Sequence, residues 1–138
     1  MTKDRWIFKG KRIHGGGWYE GNVNFSISNG YNDCCSIRVE SCFSGLVIVE
    51  TDTLCQCTGI KDASGKLIFE NDIVKLTDRA GNVDYAKVKW RDGFAAFMLC
   101  FGWDGDDFLF PDTCDDIEVV GNIIDDPTFF ERERGEGE

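Results

Sequence analysis

Apolar and polar residues alternate, at least in part, along residues 18–27, 36–40, 72–77 and 84–91, and β-branched and aromatic side chains crowd these segments. A two-residue period with that composition predicts strands with one face buried. Two unbroken apolar runs, 46–49 and 94–101, predict strands lying between layers, the second bounded by Gly93 and Gly102. Turn signals separate the runs: Asn29-Gly30, Ala63-Ser64-Gly65, Ala80-Gly81-Asn82 and Asp92-Gly93. Such residues tolerate the positive φ of tight hairpins. No ten-residue stretch keeps a 3.6-residue apolar period. A single helical turn is predicted near 127–130, with Pro127 in the first helical position and Asp126 as its cap.

Sixteen glycines and two prolines suit a mainly β chain of short antiparallel strands. The spacing predicts one domain over 1–130 built from two β lobes. Residues 1–57 form the N-terminal lobe, opening with a strand, the Gly15-Gly16-Gly17 turn and a second strand. From Thr58 a denser run of hairpins is expected to form a small barrel or roll. The last segment, 131–138, has no apolar residue and is expected to fray as a flexible acidic tail.

Charge narrows the function classes. The 138 residues carry 15 Lys and Arg against 25 Asp and Glu, a net charge of −10. Residues 1–103 hold 13 basic and 12 acidic side chains, whereas 104–138 hold 2 and 13, a local net of −11. Nucleic-acid affinity comes mainly from Lys and Arg neutralising phosphates, so this balance disfavours a DNA or RNA partner. The cluster Lys3, Arg5, Lys9, Lys11 and Arg12 reads as a solvated edge strand, where lysine blocks unwanted pairing. No run approaches the roughly 18 apolar residues of a membrane span, and the opening residues lack the apolar core of a secretory signal. A cytoplasmic location without a membrane partner is the expectation.

Seven cysteines stand at 34, 35, 42, 55, 57, 100 and 114. An odd count in a reducing compartment argues against a disulfide framework. Zinc sites pair ligands two to four residues apart, but here the short spacings are Cys34-Cys35 and Cys55-Gln56-Cys57, and the sole histidine, His14, precedes three glycines. Buried thiols and no cofactor are therefore expected. Asp62, Glu70 and Asp72 fall at hairpin corners, where acids serve turn chemistry. The acids from Asp104 to Asp116 do not fit an EF-hand, since the sixth position is Leu109 and the twelfth Asp115. A solvated loop and a weak divalent site both remain open there. With no Gly-x-Ser-x-Gly elbow and no phosphate-binding glycine loop, the reading is non-enzymatic.

The run from Thr58 to Val74, TGIKDASGKLIFENDIV, resembles the hallmark of the YopX family of phage and prophage proteins. Arg5 to Arg12 with Trp18-Tyr19-Glu20-Gly21, the strand through Val88-Lys89-Trp90, and the ending Ile117 to Ile123 followed by Asp125-Asp126-Pro127 agree with it. The resemblance implies a mainly β fold with an SH3-like small barrel or roll, a phage-derived origin, and no known activity. The family usually has glycine where this chain has Asn71; should that turn need positive φ, asparagine is the next most tolerant residue.

Aromatic residues then become the feature to place. Trp90, Phe94, Phe97, Phe101 and Trp103 crowd one hairpin, and alternation cannot hide all of them on one face. With Asp104, Asp106 and Asp107 they form the candidate interaction surface, and a homo-oligomer that covers it is expected. Two function classes follow. One is a phage-derived binding or assembly module with a phage or host protein partner. The other is an acidic decoy whose carboxylates imitate nucleic-acid phosphates.

Overall fold

The alternating segments become strands in the computed structural model, which describes residues 6–14, 16–24, 34–38, 45–101, 106–109 and 116–136. Among the described residues they are β1 (Phe8–Lys11), β2 (Trp18–Asn24), β3 (Cys34–Arg38), β4 (Leu46–Glu50), β5 (Cys55–Lys61), β6 (Leu67–Phe69), β7 (Asp72–Thr77), β8 (Val83–Arg91), β9 (Ala96–Phe101), β10 (Asp106–Phe108) and β11 (Ile117–Asn122). One helix, α1 (Phe129–Glu136), follows. Two antiparallel sheets have the orders β4-β3-β2-β1-β5-β6 and β10-β9-β8-β7-β11. The chain divides into two units, Met1–Gly59 and Ile60–Glu138, with the division inside β5.

In the first unit, alternate residues of β3 and β4 place Ile37, Val47 and Val49 in a buried cluster joined by Tyr19, Val23 and Leu54. The sheet curls so that Arg12, just past β1, bridges Val49, and the Ile13 N–H donates to the Ile48 carbonyl at 3.1 Å. Glycine permits this close approach. A Cβ on Gly10 would stand 2.9 Å from Val49 Cγ2, and one on Gly21 only 2.0 Å from the Arg38 carbonyl oxygen.

In the second unit, Ile68, Val74, Ala86, Val88, Leu99, Leu109 and Ile117 form the core, with Phe97, Phe101, Leu76 and Val119 packed against it. A buried aliphatic side chain contributes about 1.5–3 kcal/mol through the apolar surface it removes from water. The mainly β fold expected from the sequence is present as two antiparallel sheets that do not close, consistent with a small barrel or roll. The outer edge of β11 is met by the turn after β5, through Ala63 N–H to the Ile117 carbonyl at 2.9 Å and Val119 N–H to Asp62 at 2.9 Å.

Two expectations are corrected. The strand expected over 94–101 starts at Ala96, because Phe94 and Ala95 belong to the turn. The left-handed residue there is Ala95, at φ 48°, and not Gly93. The fraying tail expected from Glu131 is instead helical as far as Glu136. Arg132 reaches back to both carboxylate oxygens of Asp126 at 2.7 and 2.6 Å and to Thr128 Oγ1 at 2.9 Å, while Phe129 packs edge-on against Tyr85 at 5.2 Å. These contacts begin the helix at its N-terminal end, where sequence polarity alone gives it nothing to hold.

Candidate interaction surface

Two of the three acids of the 58–74 run, Asp62 and Asp72, are engaged in backbone geometry. Asp62 is 6% exposed, and its Oδ1 accepts from Ser64 N–H at 3.0 Å, Ser64 Oγ at 2.8 Å and Lys66 N–H at 2.8 Å. Its Oδ2 accepts from Val119 N–H, fifty-seven residues away in sequence. Burial pushes the Asp62 carboxyl up, but the bonds from Val119, Ser64 and Lys66 together outweigh it and hold the group below its ordinary value of 3.8. Asp72, 1% exposed, accepts from the Phe69 N–H at 2.8 Å. Asn71 adopts φ 72°, donates its N–H to the Val88 carbonyl at 2.7 Å and accepts the Ile123 N–H at 2.9 Å. The positive φ explains why asparagine can stand where glycine is usual. These carboxylates lock turns.

The thiols are placed similarly. Cys55 and Cys57 are fully buried; the Cys55 thiol donates to the Thr53 carbonyl at 3.2 Å, and Cys57 Sγ accepts the Gly59 N–H at 3.4 Å. Cys100 is also buried and accepts from Arg91 at 3.3 Å. Among the described residues no group of three His, Cys, Asp or Glu gathers to hold a metal. Cys42, Cys114 and the side chains of Cys34 and Cys35 lie outside the described residues.

The β8–β9 hairpin carries what the aromatic residues offer. Its register pairs Ala86 with Phe101, Val88 with Leu99 and Trp90 with Phe97, so these six residues share one face. Toward the turn the core runs out. Phe97 and Phe101 are half-buried against the core, whereas Trp90 is 37% and Phe94 62% exposed. Trp90 meets Phe97 edge-on at 5.2 Å and donates its Nε1–H to Asp92 at 2.6 Å, which fixes the indole. The turn itself closes through Phe94 N–H to the Arg91 carbonyl at 3.1 Å and Ala95 N–H to the Asp92 carbonyl at 3.2 Å. Of the remaining candidate positions, Asp107 is exposed on β10, while Trp103, Asp104 and the Asp106 side chain lie outside the described residues.

The opposite face of the same strand carries residues that the aromatic argument passes over. There the register pairs Tyr85 with Lys75, Lys87 with both Ile73 and Cys100, Lys89 with Met98, and Arg91 with Ala96. The signal was present in the sequence as Lys87-Val88-Lys89-Trp90-Arg91, cations at every second position of a strand. Lys89 Nζ bonds the neutral Asn71 Oδ1 at 2.8 Å.

A family model described as YopX protein matches residues 12–131, most of the chain. No curated protein matches it. No helix among the described residues is long and apolar enough to cross a membrane.

Proposed function

The chain belongs to the YopX family, and from that premise we propose that it is a phage-type, non-enzymatic binding and assembly protein that self-associates through the end of the β8–β9 hairpin. The observation that carries this reading is the pair Trp90 and Phe94, exposed beside a core that ends at Phe97. An indole already held by Asp92 and Phe97 loses little side-chain freedom when covered, which makes it an effective anchor. Size-exclusion chromatography with light scattering tests it. The wild type is expected at a multiple of 15.6 kDa, and Phe94→Ala with Trp90→Ala at the mass of one chain. A wild type that stays at one chain across all concentrations overturns the reading.

The acid excess after residue 103, a net of −11, favours a second reading as an acidic decoy for a nucleic-acid-binding protein. A pull-down from bacterial lysate then retains basic DNA-binding proteins and releases them as salt rises. Capture that salt does not weaken, or none, removes this second reading.

A further inference from the structure

We propose that the C-terminal helix α1 is a strap that opens and closes on the second unit as one piece, about a hinge at Pro127 and Thr128, with Arg132 as the catch that holds it shut. Its eight residues are too few for a helix to persist unsupported in water. The sequence FFERERGE has apolar residues only at its first two positions and a glycine in its last turn. Adjacent positions point about 100° apart around a helix, so Phe129 and Phe130 form no apolar stripe along it. The helix therefore depends on its first turn, and it lasts as long as that turn is held.

The two sides of Pro127 are fixed differently. Before it, Asn122 Oδ1 accepts the Asp125 N–H at 2.8 Å, the Asn122 carbonyl accepts the Asp126 N–H at 3.0 Å, and the Ile123 N–H donates to the Asn71 carbonyl at 2.9 Å, which ties this turn to the residue before β7. After it, two closures hold the helix. Phe129 meets Tyr85 of β8 edge-on at 5.2 Å, and Arg132 reaches back across the hinge to both Asp126 oxygens at 2.7 and 2.6 Å. The Arg132 guanidinium also stands over the Phe129 ring at 6.0 Å, so one side chain joins the charged closure to the aromatic one. The Arg132 and Asp126 side chains are 53% and 38% exposed, which opens their attraction to screening by salt. The closed strap holds Tyr85 against Phe129 and Phe129 against Phe130, and the open strap gives all three rings to solvent. Ionic strength thus sets how often this aromatic surface is shown. The sheet stays intact meanwhile, because no residue of α1 belongs to the core cluster of Ile68, Val74, Ala86 and Val88.

The test is hydrogen exchange of the full chain read by peptide mass spectrometry, with tetranitromethane as the probe of Tyr85. Amides of residues 132–136 are expected to exchange at least about tenfold faster than those of β7 and β8, yet slower than in an unfolded peptide, and to speed up as salt is raised. Arg132→Ala is expected to raise both that exchange and the nitration of Tyr85 by about two- to fivefold at low salt, to remove most of the salt response and to leave Tm unchanged. Arg132→Lys, which keeps the charge but not the two-pronged grip, is expected to fall between it and the wild type. Helix amides that exchange only when the strands do overturn the inference, as do helix amides without protection at low salt. Faster exchange in Arg132→Ala with Tyr85 nitration unchanged also overturns it, because the helix then frays in place and no strap lifts. Each outcome is independent of self-association through the β8–β9 hairpin.

Discussion

The turn that follows β5 and the turn that joins β8 to β9 are both short, polar at their corners and drawn from the same unit, yet their side chains work in opposite directions. Asp62 turns inward and collects four hydrogen bonds, one of them from β11. Phe94 turns outward and is 62% exposed. Both turns lie within the residues the family model matches, but the first falls in the 58–74 run that resembles the family hallmark and the second outside it. The contrast separates recognisability from activity: a long diagnostic run can be diagnostic because the fold depends on it, while the surface that meets a partner is assembled from positions with no fixed signature.

Substitutions can break this contrast. Asp62→Ala strands the N–H groups of Ser64, Lys66 and Val119, so the expected loss is the largest, about 3 kcal/mol by urea unfolding. If Phe94→Ala cost as much, the two turns would not differ in kind. Acid comes next. Because Asp62 is held below its ordinary value of 3.8, its contribution is present above that value and disappears as pH falls through the depressed folded value. Wild-type stability is expected to decline as the pH drops below about 4, and Asp62→Asn to lack that component of the decline. Ala95→Gly relieves the left-handed strain at φ 48° and is expected to raise stability by about 1 kcal/mol, seen as a higher Tm. The smallest effect is expected of Phe94→Ala, within about 0.5 kcal/mol of wild type in unfolding at concentrations where the wild type is a single chain.

Where the sequence was legible, the cause was local. The alternation over 72–77 marks β7 to the residue, and the turn glycines Gly65 and Gly81 do take positive φ, at 88° and 87°. Asp92-Gly93 misleads because a four-residue turn moves the left-handed position to Ala95, a choice set by the length of the loop and not by the dipeptide. The tie between the 58–74 run and β11 was hidden for a different reason. The bond from Val119 to Asp62 joins residues far apart in sequence, and a carboxylate substituting for a neighbouring strand leaves no periodic trace. The helix beyond Glu131 was hidden likewise, since its support comes from Asp126 and Tyr85, residues outside the tail. Of the candidate surface, Trp90 and Phe94 were legible as an excess of aromatics, but only the register shows that Phe97 and Phe101 are held by the core and that the lysines share the other face.

Cys55 and Cys57 in the first unit and Cys100 in the second are closed to solvent. An alkylating reagent therefore reaches each one only when the backbone around it swings open, and its rate of attachment times that opening. Peptide mass spectrometry after a timed pulse would then read two clocks from one sample, one for each half of the molecule, without any engineered label.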